Sequence, residues 1–215
     1  RALELNPNSA QANHWFSNLL HVLGRTRESL KYARRSAQLD PLSAIVRVNL
    51  GGALEGVGQF SAAAAEYGRA IQIDPLIPTA HRSIGQLKAY AEGRVDEGVP
   101  WVMRAAELDP GQGDSRAWLS GMYFDLGDDT AAEHWLDPTP RVGAGDPSLK
   151  FASCIAALSR GQSESAVKSA RQALAIAPQE TIMLAVMRDA DLEHGASAAA
   201  RAARSAARRP RAAPA

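Results

Sequence analysis

The chain has 215 residues and a formal net charge of +1, which by itself calls for no polyanionic partner. Apolar residues make up 46% and aromatics only 6%, so alanine and leucine must fill most contacts, which suits closely approaching helices better than thick sheet sandwiches. The single cysteine, Cys154, rules out an internal disulfide or a thiolate metal cluster. No apolar run approaches the roughly 20 residues needed to span a bilayer.

The first residues, RALELNP, do not resemble a signal peptide. They read as the tail of a second helix, with 1–9 closing an upstream repeat, so the chain is expected to be a segment of a longer protein. The compartment stays open, with the cytoplasm favoured.

From there a 34-residue period runs along the chain. Pro7, Pro41 and Pro75 are spaced 34 and 34, Pro110 follows after 35, and Pro178 lies twice 34 further on. The first four close similar phrases: LELNP, AQLDP, IQIDP and AELDP. A glycine ladder (Gly24, Gly58, Gly93, Gly127, Gly161, Gly195) keeps the same period. So do two ladders of small residues: Ser17, Gly51, Gly85, Ser120, Cys154 and Ser29, Ala63, Gly98, Ala132, Ala166, Ala200. All share one slip, a single inserted residue between Gly85 and Gly93.

Each ladder has a physical role. The glycine can end one helix in a left-handed conformation at little steric cost. The proline follows the second helix and cannot continue it. The small residues fall inside the two helices, where close crossing needs short side chains. An ordinary helical bundle has no reason to hold such a register. The fold expected is therefore all-α: a right-handed superhelical solenoid of antiparallel helix pairs, about five to six repeats. The repeats are read at 10–43, 44–77, 78–112, 113–146 and 147–180, with a capping helix pair over 181–209 and a disordered tail over 210–215.

Two repeats depart from the pattern. In the fourth, Pro138 and Pro140 should stop the second helix near Leu136 and leave 137–146 as a loop. In the fifth, Asp146-Pro147 reads as an N-cap followed by proline at the first helical position. The apolar stripe Phe151, Ile155, Leu158 then sits one residue out of phase, which leaves open whether that helix is rotated. Pro100 is expected in the first turn of its helix, where proline is tolerated. Trp15, Trp101, Trp118 and Trp135 are expected to pack between repeats.

On Leu50-Gly51, Leu54, Gly58, Phe60, Ala63, Tyr67, Ala70 and Pro75 the sequence resembles the tetratricopeptide repeat (TPR) family, and the resemblance covers nearly the whole chain. It implies a non-catalytic protein–protein interaction module that binds a peptide or partner domain in a concave groove. Counted by the family's groove positions, with Asn49 from the clamp described next, the candidate binding residues are Gln11, His14, Asn18, His21, Asn49, Glu55, Arg82, Gln86 and Phe124. In chaperone-binding members two asparagines and three basic residues hold a peptide carboxylate. Here Asn18 and Asn49 fall at the asparagine positions, while the basic positions hold His14, Thr79 and Ser83, with Arg82 only adjacent. A carboxylate loses most of its attraction without charged donors, so general peptide binding is the better reading.

The partner expected is thus a protein or peptide, without a small-molecule substrate, membrane insertion or nucleic acid. No cofactor is implied. No phosphate loop, nucleophile elbow or HExxH is present, so no catalytic residue is assigned. His14 and His21 share a helix face but lack the further ligands a zinc site needs, so no metal is expected. Cys154, at a small-residue packing position, reads as a buried structural thiol. Arg201, Arg204 and Arg208 share one face of the tail. The bland reading there is a solvated cap, the sharper one contact with an acidic partner or nucleic acid.

One alternative function stays open. The phrases Asn13-His14-Trp15-Phe16, Gly24-Arg25, Arg34-Arg35-Ser36 and Leu39-Asp40-Pro41-Leu42-Ser43 are similar to the TPR tails of bacterial regulators that carry an N-terminal winged-helix or adenylate-cyclase domain. That resemblance implies a sensory or regulatory module.

Overall fold

The computed structural model describes residues 2–176; the predicted capping pair over 181–209, the ladder members Pro178, Gly195 and Ala200, and the arginine tail lie outside them. Among the described residues the regular structure is all helix, with no strand. The helices are α1 (Ala2–Leu5), α2 (Ala10–Val22), α3 (Thr26–Leu39), α4 (Ala44–Glu55), α5 (Phe60–Ile73), α6 (Pro78–Gln86), α7 (Val95–Leu108), α8 (Gly113–Asp125), α9 (Asp129–Leu136), α10 (Pro147–Ser159) and α11 (Ser163–Ile176). The all-α fold class expected from the period is the one observed. The chain forms two compact units, divided between Ser115 and Arg116.

The glycine ladder ends the first helix of each pair. Gly24, Gly58, Gly93, Gly127 and Gly161 have φ between +68° and +78°, a region in which a Cβ is strained. The next amide then turns back to a carbonyl five residues earlier. Arg25 bonds to Leu20, Gln59 to Leu54, Asp128 to Tyr123 and Gln162 to Ala157, at 2.8–2.9 Å. At Gly93 the same bond runs one residue longer, from Arg94 N to Lys88 O. The chain there is a π-helical turn, Leu87–Ala91, continuing α6. A π-turn is how a helix takes in one extra residue without losing its register. The one-residue slip in the ladders is therefore absorbed inside a helix.

The two ladders of small residues meet within each unit. In α2 and α3 the buried hydroxyls of Ser17 and Ser29 bond reciprocally. Ser17 Oγ donates to Ser29 O at 3.0 Å, and Ser29 Oγ to Ser17 O at 2.9 Å. Between α4 and α5, a Cβ on Gly51 would lie 2.7 and 2.9 Å from Cδ1 and Cζ of Tyr67. Between α6 and α7, a Cβ on Gly85 would lie 2.8 Å from the Gly98 carbonyl oxygen, so only glycine permits that approach. In unit two, Cys154 of α10 packs with Ala166 and Ala170 of α11.

The core of unit one is a cluster of Leu30, Ala33 and Ala37 from α3, Val46, Leu50, Ala53 and Leu54 from α4, and Ala63 and Tyr67 from α5, reaching Leu87. A second recurring device was not read from the sequence. Asn13, Arg47 and His81 each donate to the carbonyl of the proline six residues earlier: Asn13 Nδ2 to Pro7 at 3.0 Å, Arg47 Nη2 to Pro41 at 2.9 Å, His81 Nε2 to Pro75 at 2.9 Å. The turn between helix pairs is thereby tied to the first turn of the next helix. The residue types differ, and only the donor atom is shared.

Two expectations are corrected. Pro100 is the sixth residue of α7, not part of its first turn, because α7 begins at Val95. Its ring leaves the Asp96 carbonyl without a helical partner. Trp15 is 63% exposed and Trp118 40%, so neither is an inter-repeat core residue. Trp101 is half-buried 5.9 Å from the His81 ring, and Trp135 lies 5.1 Å from the Arg116 guanidinium. The question left open at α10 has an answer: the helix keeps the ladder's register, with Cys154 and Ala157 buried and Ile155 exposed. Of the stripe Phe151, Ile155, Leu158, only Ile155 is exposed; Phe151 is half-buried, and Leu158 packs against the Cys154–Ala157 cluster. α9 ends at Leu136, where Asp137-Pro138 breaks it, and Asp146 caps α10 by accepting from the Ser148 and Leu149 amides.

Candidate functional site

Helices α2 and α4 border an open cavity of about 630 Å³ in unit one. α2 contributes Ala10, Gln11, His14, Trp15 and Asn18, and α4 contributes Ile45, Val46, Val48 and Asn49. Asp40 and Ser43, in the turn between helix pairs, complete the lining. Residues 11, 14, 15 and 18 fall on adjacent rows of one helix face by the i, i+3, i+4 rule.

The polar lining is a connected chain. Asn49 Nδ2 donates to Asn18 Oδ1 across the two helices, and Asn18 Nδ2 lies 3.2 Å from His14 Nε2. With the amide as donor, His14 Nε2 must be the unprotonated acceptor, and the ring proton sits on Nδ1. Burial lowers the His14 pKa below its usual value, which holds the ring neutral. His14 Nδ1 and Asn49 Oδ1 are buried without a partner among the described residues. Beside this chain stand the apolar Val46 and Val48 and the exposed side chains of Trp15 and Ile45. The lining contains no lysine or arginine.

The other candidate residues do not join this cavity. Glu55 accepts a hydrogen bond from the Tyr67 hydroxyl at 2.8 Å. Burial, then the neighbouring Glu55 carboxylate, push the Tyr67 pKa up, so it stays a donor. His21 is exposed at the end of α2. Arg82 pairs with Asp114 at 3.6 Å, so it offers no free cation to the groove. Gln86 is half-buried at the end of α6. Phe124 lies in unit two, 4.9 Å from the Arg160 guanidinium. Sequence reasoning missed Trp15 as a lining residue, because a tryptophan at helical spacing reads as core. Its open neighbours were not visible from the sequence.

No family model and no curated protein matches the chain. Solved structures do. A thermophilic TPR protein of Thermus thermophilus is similar over 86% of this chain and 100% of that one, with a TM-score of 0.74 at 17% identity. The fold is that of the tetratricopeptide repeat. A chain of the APC/C hetero-tetramer Cut9–Hcn1 matches with a TM-score of 0.70 at 19% identity, over 89% of this chain; this chain spans 38% of that one. YrrB, described as a TPR protein with an unusual peptide-binding site, matches with a TM-score of 0.51 at 17% identity, over 87% of this chain and 96% of that one.

For a TPR fold, the α2–α4 cavity lies between the first helices of adjacent pairs. Among the described residues no group of three His, Cys, Asp or Glu stands close enough to hold a metal ion. No described helix is long and apolar enough to cross a membrane. Cys154 is buried, and burial pushes its thiol pKa up, away from the reactive thiolate.

Proposed function

We propose that this chain is a protein–protein interaction module and that unit one takes an extended, uncharged peptide segment of a partner in the α2–α4 cavity. The observation that carries this is the neutral amide–imidazole chain, His14, Asn18 and Asn49, lying beside the apolar side chains of Trp15, Ile45 and Val48. Amides can donate to and accept from a peptide main chain, and the apolar side chains can hold one anchor residue. A terminal carboxylate would meet no cation here and would face Asp40, which argues against a carboxylate clamp. YrrB, of the same fold, is described as having a peptide-binding site, which supports the class of partner.

The test is selection of binders from a displayed random-peptide library, followed by titration of the enriched peptides. Asn18→Ala with Asn49→Ala should weaken binding about tenfold or more, about 1.4 kcal/mol, while far-UV dichroism stays unchanged. Enriched peptides that bind the double variant as tightly as the parent chain would rule this cavity out. The reading as a sensory arm of a bacterial regulator rests on the sequence phrases around Asn13 and Leu39, and the same groove would serve it.

A further inference from the structure

The exposed face of α3 carries a line of cations that α5 and α7 do not repeat. Arg27, Lys31 and Arg34 are all exposed. Their spacing of four and three residues sets them on one helix face, about 10 Å end to end. α3 holds a single acid, Glu28, and Arg25 takes both of its oxygens, at 2.6 and 2.7 Å. Glu28 feels Lys31 without a bond to it, and Lys31 Nζ stands 5.8 Å from the Tyr32 ring. Among the described residues Arg27 and Arg34 make no hydrogen bond or ion pair. Arg35, about 100° round the helix from Arg34, is the cation that reaches back to the preceding turn, at Asn8. The line through Arg27 and Arg34 lies off that side.

The period supplies the comparison. In register with Arg27, Lys31 and Arg34 stand Ser61, Ala65 and Gly68 of α5, then Asp96, Pro100 and Met103 of α7. Ser61, Ala65, Asp96 and Pro100 are exposed as well. Solvating this face of a second helix therefore needs no cation, and α3 has three. No residue of α3 lines the α2–α4 cavity, so this is a separate surface.

We propose that the Arg27–Lys31–Arg34 face docks an acidic helical segment of a partner protein, with carboxylates at i, i+4 and i+7 set against the three cations. Charge complementarity names the occupant. Unit one, residues 1–115, carries twelve lysines and arginines against twelve acids, so it is neutral as a whole. A nucleic-acid backbone or an anionic bilayer spreads its charge far beyond these three cations and would also meet the acids. Tyr32, the aromatic beside the line, is half-buried edge-on against Phe16 at 4.7 Å, so it offers no stacking platform for a base.

The probe is an alanine-based stapled helix with glutamates at i, i+4 and i+7, titrated into the full 215-residue chain and followed by amide NMR shifts. Exposed ion pairs are individually weak and screened, so the titration is run at low salt. The expected result is saturable shifts centred on Arg27, Lys31 and Arg34, lost when glutamine replaces the glutamates. Arg27→Glu with Arg34→Glu should weaken binding at least tenfold. That reversed chain should melt like the parent, since neither arginine has a partner to lose, and should instead take the lysine version of the helix. Asn18→Ala with Asn49→Ala should leave the affinity unchanged, which separates this face from the cavity. Equal binding by the reversed chain, or shifts centred on the arginines of 201–211, overturns the proposal. So does tighter binding of a single-stranded oligonucleotide or a phosphatidylserine vesicle that the same reversal removes.

Discussion

At the level of single residues, His14 couples the cavity to pH. Its folded pKa is lowered by burial, so the folded chain resists a proton that the unfolded chain accepts. Above the unfolded value near 6.5 both states are neutral and nothing is lost. As pH falls below that value the unfolded state binds more protons and stability declines, until the folded pKa is passed. Protonation also removes the acceptor used by Asn18. Thermal melts between pH 7.5 and 5 should therefore show a loss of stability that is smaller in His14→Gln; parallel slopes would show that His14 carries no such coupling. The paired serines give a second contrast. Ser17 and Ser29 satisfy each other, whereas Ser120, in register with Ser17, is buried with no partner for its hydroxyl among the described residues. Ser17→Ala should cost about 1–3 kcal/mol, roughly 2–4 °C of Tm per kcal/mol, and Ser120→Ala should be neutral or stabilising. Equal losses in the two variants would contradict this account.

At the level of helices and turns, the ladders were legible because each answers a demand no other residue type meets as well. Gly24, Gly58, Gly127 and Gly161 take a positive φ, and Gly51, Gly85 and Gly98 admit a neighbouring helix. What was not legible is equally physical. The proline-carbonyl tie is made by an asparagine, an arginine and a histidine, so residue identity hides a shared donor. Pro100 lies deeper in its helix than expected because α7 begins at Val95, and its neighbours Val99 and Val102 are buried. The inserted residue was visible as a slip, but only the backbone shows it as a π-turn at Leu87–Ala91. Deleting Tyr90, half-exposed within that turn, should convert it to regular α-helix. The variant should then fold with Tm within a few degrees of the parent; loss of cooperative melting would show that the π-turn is required rather than tolerated.

At the scale of the whole molecule, the nine residues expected to line one groove divide. Gln11, His14, Asn18 and Asn49 share the α2–α4 cavity, Glu55 and Arg82 are engaged by Tyr67 and Asp114, and Phe124 belongs to the other compact unit. The period locates the first helices but not which of their side chains are already occupied, since that depends on partners on other helices. Trp15, expected in the core, lies instead at the edge of the cavity. The most direct test is an amide and side-chain NMR map of the chain titrated with its tightest selected peptide. The account predicts that the largest shifts fall on Gln11, His14, Trp15, Asn18, Val48 and Asn49, including the Asn18 and Asn49 side-chain amides. Shifts centred on Phe124, Phe151 and Ile155, with those residues unmoved, would place the binding site in the second unit and contradict it.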